Sequence, residues 1–215
     1  NLKEVVKLSR EEARLRAEAK GCTPYDALLD IFEPDMTSAR LDVLFCDLKS
    51  WLPELLAKVV EKQAQRSFVP PQGPFPTATQ RELGLEAMKM LGFDFNGGRL
   101  DVSAHPFCGG VPEDVRITTR YDEDELLSAL FGVIHETGHA RYEQNLPRAW
   151  AGQPVALARS TAIHESQSLF FEMQLGRSDA FLKHLLPAVH ARFGSQAAFS
   201  EENFIRSEEH TSELQ

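Results

Sequence analysis

Apolar residues recur at the spacing of a helix face through most of the chain and alternate with polar ones over one short stretch. From Leu2 to about Lys20, Val5, Val6, Leu8, Ala13, Leu15 and Ala19 fall at near-helical intervals among charges, and Gly21 is placed to stop the helix. The next piece, CTPYDALLDIFEPDMT, is rich in turn residues. Thr37 can cap a long segment reaching about Arg66, with Leu41, Leu44, Phe45, Leu48, Leu52, Leu55, Leu56 and Val59 on one face. Pro53 lies inside it, so a kink or split is expected near Ser50.

The Pro- and Gly-dense stretch FVPPQGPFP reads as a loop, and Thr77 with Gln80 has the form of a capping box opening a helix to about Leu91. After Asn96, Gly97 and Gly98, the segments RLDVSAHPF and DVRITTRY alternate and are rich in branched residues, which predicts two short strands in a hairpin or small sheet. Asp122 with Glu125 repeats the capping-box pattern before a helix that ends short of Pro147. Two further helices are expected, from Ser160 to Leu175, stopped by Gly176, and from Asp179 to about Arg192. The pattern describes a mainly α protein with a small β-sheet.

Composition narrows the function classes. At 215 residues and 42% apolar, the chain can bury a sizeable core. Its net charge is -9, and the 23 Lys and Arg are scattered among 32 Asp and Glu, which argues against a nucleic-acid groove. No apolar run approaches the roughly 20 residues of a membrane helix, and the charged start NLKEVVKLSREEARL is unlike a secretory leader, so a cytoplasmic location is expected. Cys22, Cys46 and Cys108 are odd in number and far apart, which fits reduced thiols.

Both ends suggest a piece of a longer protein. Asn1 stands inside a helical pattern, and the last ten residues, RSEEHTSELQ, match the codon-by-codon translation of a common sequencing adapter. The natural sequence is therefore expected to occupy residues 1–205 as part of one domain, with residues 206–215 an artefact to be set aside.

One stretch carries chemistry. In VIHETGHARYEQ, residues 133–144, His135 and His139 are four apart and so project from one helix face, where their rings can turn onto one ion. Glu136, rotated about 100° from His135, can take a proton from a water that the metal acidifies. A catalytic zinc site needs a third protein ligand. The extended pattern would require Gly at 142 and His at 145, but Tyr142 and Asn145 stand there, so that route fails. Glu165, in AIHESQSLFFE, is the favoured third ligand, with Glu172 and Glu143 as fallbacks, while His164 beside it is either a residue that orients a ligand or substrate or a buried histidine.

HPF at 105–107, DVRITTRY at 114–121, HETGH at 135–139 and HESQS at 164–168, together with YDALLDIFEP at 25–34, resemble in order and spacing the Taq carboxypeptidase family of zinc metallopeptidases. The resemblance implies a helical gluzincin-like fold with a small sheet beside an active-site groove, one zinc ion per chain with cobalt able to replace it, and a homodimer at full length. It also implies release of single amino acids from peptides with a free C-terminus. By the same carry-over His135, His139 and Glu165 match the metal ligands and Glu136 the general base, while His105 and the Asp114/Arg116 pair match motifs lining the family's active site. The strand DVRITTRY is a candidate for holding the peptide backbone by strand addition. Two departures stand out: the family's downstream IRxxAD-like and GxxQDxHW-like motifs have no counterpart, and Asp35 replaces a usual glycine. The rival readings are a zinc oligopeptidase or endopeptidase and, for this chain by itself, a metal-binding helical fragment without catalysis.

Overall fold

The computed structural model describes residues 2–211; the end of the expected artefact, residues 212–215, lies outside them. Eight helices are described, α1 (Leu2–Lys20), α2 (Pro24–Phe32), α3 (Ser38–Ala64), α4 (Thr77–Met90), α5 (Leu127–Gln144), α6 (Thr161–Leu169), α7 (Asp179–Phe193) and α8 (Glu201–Thr211). Three strands, β1 (Gly98–Val102), β2 (Phe107–Val111) and β3 (Asp114–Thr119), complete the fold together with a π-helical segment, Phe170–Gly176, that prolongs α6. The mainly α class with a small sheet is as the sequence predicts. Among the described residues no helix is long and apolar enough to cross a membrane, and all three cysteines are free thiols.

The chain divides into two compact units, residues 1–62 with 158–162, and residues 63–157 with 163–215. In the first, α1 ends at Gly21, whose φ of 69° is open to glycine and whose N–H closes on Ala17. Within the turn-rich piece, Pro24–Phe32 folds as α2. Thr23 caps it, accepting from the Asp26 N–H at 3.1 Å, and Pro24 occupies its first turn, where a missing N–H costs nothing. Its nine residues make only about two to three turns, too short a run to register as a period. Asp35 has φ 64°, the region its glycine counterpart would adopt freely. Glu33 accepts from Ser160 Oγ and from the Ala162 N–H, which ties residues 158–162 to this unit. Thr37 caps α3 as expected, but Pro53 does not split it: the helix is continuous to Ala64. The apolar row along α3 faces solvent, with Phe45 51% and Trp51 45% exposed.

In the second unit, α5 is the organising element. Leu127, Leu130, Phe131 and Ile134 bury one face of it against Leu83 and Ala87 of α4 and Leu182, Leu185 and Val189 of α7. Val133 and Ala140 bury a second face, meeting Leu100, Val115 and Ile117 of the sheet. Each large side chain buried this way contributes about 1.5–3 kcal/mol. A helix packed on two faces keeps a third for chemistry, and His135 and His139 lie there.

The sheet order is β1-β3-β2, with β1 parallel and β2 antiparallel to β3. Two strands become three because RLDVSAHPF breaks at Ser103–Pro106, so that its Phe107 opens β2. Since β3 is paired along both edges, it has no free backbone for a substrate strand; the edge beside α5 belongs to β2.

Neither capping box forms as the sequence suggests. Thr77 is the first residue of α4 and bonds Glu123, while Gln80 is buried and donates to the carbonyls of Phe75 and Asp122. At α5 it is Glu125, not Asp122, that accepts the first helical N–H groups, from Leu127 and Ser128. Residues 206–211 of the expected artefact continue α8, whose Phe204 and Ser207 are buried.

Candidate active site

Helix α5 presents His135 and His139 from one face, and α6 crosses to bring Glu165 onto them. His135 Nε2 lies 3.7 Å from Glu165 Oε1, and His139 Nε2 lies 3.4 Å from Glu165 Oε2. The three ligand-type atoms fall within 4.8 Å of one another, a spacing one ion can span.

The approach of the two helices depends on Gly138. A Cβ there would stand 2.6 Å from Ser168 Cα and 2.9 Å from the Gln167 carbonyl, so backbone meets backbone. Gly138→Ala is expected to force α6 outward, lowering stability by roughly 1–3 kcal/mol and weakening metal binding, since Glu165 rides on α6. Thermal melting and a metal titration check both effects; unchanged values would remove this close approach from the account.

Both histidines are held from behind. His135 Nδ1 is 2.9 Å from Glu172 Oε2, and Glu172 is itself paired with Arg177 at 2.7 Å. His139 Nδ1 is 2.6 Å from His164 Nδ1, while His164 Nε2 is 2.8 Å from Glu143 Oε1. One proton arrangement satisfies all three contacts: His135 donates from Nδ1 to Glu172, His139 donates from Nδ1 to His164, and His164 donates from Nε2 to Glu143. Both Nε2 lone pairs are then left facing Glu165. Glu172 and Glu143, the fallback ligands, therefore stand behind the histidines rather than beside Glu165. Their sequence signals were helical spacing: Glu143 follows His139 by four residues and Glu172 follows Glu165 by seven.

Electrostatics follow from burial. Glu136 is 6% exposed, and its Oε2 has no hydrogen-bond partner. Burial pushes its carboxyl up to about 7; the charge of His135 opposes this and that of Glu165 adds to it. His139 is pushed down to about 4, by burial first and then by the neighbouring His164 and His135, so it stays neutral and able to bind a cation at ordinary pH. For His135 burial acts downward, but the Glu172 hydrogen bond and the charges of Glu136, Glu172 and Glu165 outweigh it and the net shift is upward. Cys108, on the face of β2 turned to α5, has its thiol raised to about 12 by burial and by Glu136 and Glu143, and so stays protonated.

The remaining sequence candidates lie apart from this cluster. Asp114 and Arg116 pair with each other at 2.6 Å, half-exposed, on the sheet face opposite Val115 and Ile117 and therefore opposite α5. His105 sits in the turn before β2, exposed, with its carbonyl accepting from Thr118 Oγ1. His164 is within the site. Arg177 was not anticipated, since an isolated arginine just past a helix-stopping glycine carries no signal.

The donor set fits a metal ion: two imidazoles and a carboxylate converge, and a buried carboxylate oxygen without a partner stands beside them.

Comparison with known proteins concerns the chain as a whole. The family model of the carboxypeptidase Taq (M32) metallopeptidases matches residues 1–213. Carboxypeptidase 1 of Bacillus subtilis (strain 168) is 47% identical over 161 residues, covering 74% of this chain and 32% of that protein. Thermostable carboxypeptidase 1 of Thermus thermophilus is 40% identical over 211 residues, covering 94% and 41%. Among solved structures, Trypanosoma cruzi metallocarboxypeptidase 1 superposes with a TM-score of 0.87 at 55% identity, over 96% of this chain and 42% of that one. The chain thus spans less than half the length of the relatives it matches.

Proposed function

The chain belongs to the carboxypeptidase Taq (M32) metallopeptidase family, and on that premise we propose that the full-length protein is a zinc-dependent carboxypeptidase that removes single amino acids from the free C-termini of peptides. The observation that carries this reading is the convergence of His135 Nε2, His139 Nε2 and Glu165 beside the unpartnered, buried oxygen of Glu136.

His135, His139 and Glu165 would hold the metal, which supplies Lewis acidity to the scissile carbonyl and makes water acidic enough to react near neutral pH. Glu136 accepts the proton of the attacking water on its unpartnered oxygen. The same carboxyl then hands that proton to the departing amine, so the residue ends the cycle as it began. The low polarity that raises Glu136 also fits it for both directions of transfer near pH 7. Glu172 and His164 keep the two Nδ1 protons in place throughout. The unpaired edge of β2, beside α5, supports docking of the peptide backbone as an added strand. Cobalt is expected to replace zinc, since the same imidazole and carboxylate donors serve both. Assembly as a homodimer is part of the same reading, and the mass of the full-length protein in solution tests it.

The decisive assay supplies zinc-loaded full-length protein with a short peptide bearing a free C-terminus and reads released amino acids by mass. Single C-terminal residues are expected, and a C-terminally amidated version of the same peptide is expected to resist. Cleavage of the amidated peptide at internal bonds would replace this reading with an endopeptidase.

A further inference from the structure

Helix α6 does not end where its α-helical hydrogen bonding stops. From Phe170 to Gly176 it continues as a π-helix, closing on the Arg177 N–H, which donates to the Glu172 carbonyl at 3.1 Å across five residues. In an α-helix, residues five apart point about 140° away from each other. The wider π turn brings them onto one side. Here that places the Arg177 guanidinium 2.7 Å from Glu172 Oε1, while Glu172 Oε2 holds His135 Nδ1 at 2.9 Å.

The chain of contacts returns to α5. Arg177 stacks over the ring of Phe131, 4.3 Å from its centroid, and Phe131 lies one turn before His135 on α5. Gly176 presses the π segment onto α5, for a Cβ there would meet Ile134 Cγ2 at 2.9 Å. Glu172 is buried and Arg177 largely so, with side chains 8% and 10% exposed. Charges buried in this way gain little net stability, because desolvation offsets their attraction. Their value must lie in where they hold something.

We propose that the π turn exists to join Arg177 to Glu172, and that this pair is the positioning device that fixes the His135 ring with Nε2 turned toward Glu165. Metal affinity then depends on Arg177, although Arg177 touches none of the three clustered side chains. The proposal rests on reading His135, His139 and Glu165 as metal ligands.

The test measures the zinc Kd of the full-length protein by chelator competition for Glu172→Gln, Arg177→Met and the double variant, with the melting temperature of each metal-free form alongside. Glu172→Gln is isosteric and reports even if Arg177→Met does not fold. Each single change is expected to weaken zinc binding about 10–100-fold, and the double variant to bind no more weakly than Glu172→Gln, because Arg177 acts through Glu172. A Kd within about twofold of the parent for Glu172→Gln overturns the proposal, as does an Arg177→Met loss of equal factor in both backgrounds. Failure of the parent itself to bind zinc would instead overturn the reading of the site.

Discussion

Glu136→Gln is expected to cut peptide hydrolysis by about 10²–10⁴-fold, the range a positioned base contributes, while zinc binds as in the parent. The amide fills the same space but cannot take the proton of the attacking water. The ligand-type atoms of His135, His139 and Glu165 do not include Glu136, so the metal has no reason to leave. The same substitution carries a signature in stability. Burial raises the Glu136 carboxyl from 4.5 to about 7 in the metal-free protein, so between those values the folded chain holds a proton that the unfolded chain has released. Stability contributed by Glu136 therefore falls as pH rises through that window and stays low above it. Glu136→Gln, which cannot ionise, is expected to raise the metal-free melting temperature at pH 8 and to leave it unchanged near pH 4.5. Chelated samples melted at the two pH values check this, and an equal effect at both would remove burial as the cause. Activity retained in the variant would remove Glu136 from the chemistry.

The periodic elements were legible because burial imposes a pattern. Helix α1 and the alternation in β3 could be read from apolar spacing, and the pincer of His135 and His139 from the four-residue spacing of the two histidines. What escaped the sequence depended on contacts between distant residues. The short helix α2 lacks enough turns to show a period, and its hold on the chain comes partly from Glu33 bonding Ser160 and Ala162. Pro53 was expected to kink or split α3, and the helix runs through it without a split, a local rule yielding to its context. The capping box at α4 failed because Gln80 and Thr77 found partners in residues 75, 122 and 123. Within the site, the three clustered side chains follow from spacing and chemistry and His164 was read as a candidate orienting residue, whereas the pairing of Arg177 with Glu172 carried no signal. The π turn depends on how closely Gly176 and Ile134 approach, and no one-dimensional pattern encodes a helix that closes on its fifth residue.

Glu165→Ala is expected to cost more metal affinity than any change behind the histidines. Those supports are worth about 10–100-fold each, because a ligand without them still binds in a poorer orientation. Removing Glu165 instead deletes a donor and leaves two Nε2 atoms where a catalytic ion needs three protein ligands. Its side chain is 47% exposed, so the metal-free protein is expected to melt within about 0.5 kcal/mol of the parent. The metal-loaded protein is different, since bound metal stabilises in proportion to the logarithm of its concentration over Kd, and a weaker Kd removes that gain. The expected pattern is therefore an unchanged melting temperature in chelator, a lowered one in zinc, and loss of hydrolysis at zinc concentrations that saturate the parent. Comparison with Glu172→Gln makes the result diagnostic. Glu172 is buried and bonded to Nδ1, the nitrogen turned away from the cluster, whereas Glu165 faces both Nε2 atoms. If Glu172→Gln lost the metal while Glu165→Ala kept it, the two carboxylates would have to exchange roles, and the carboxylate on the π turn would be the third ligand.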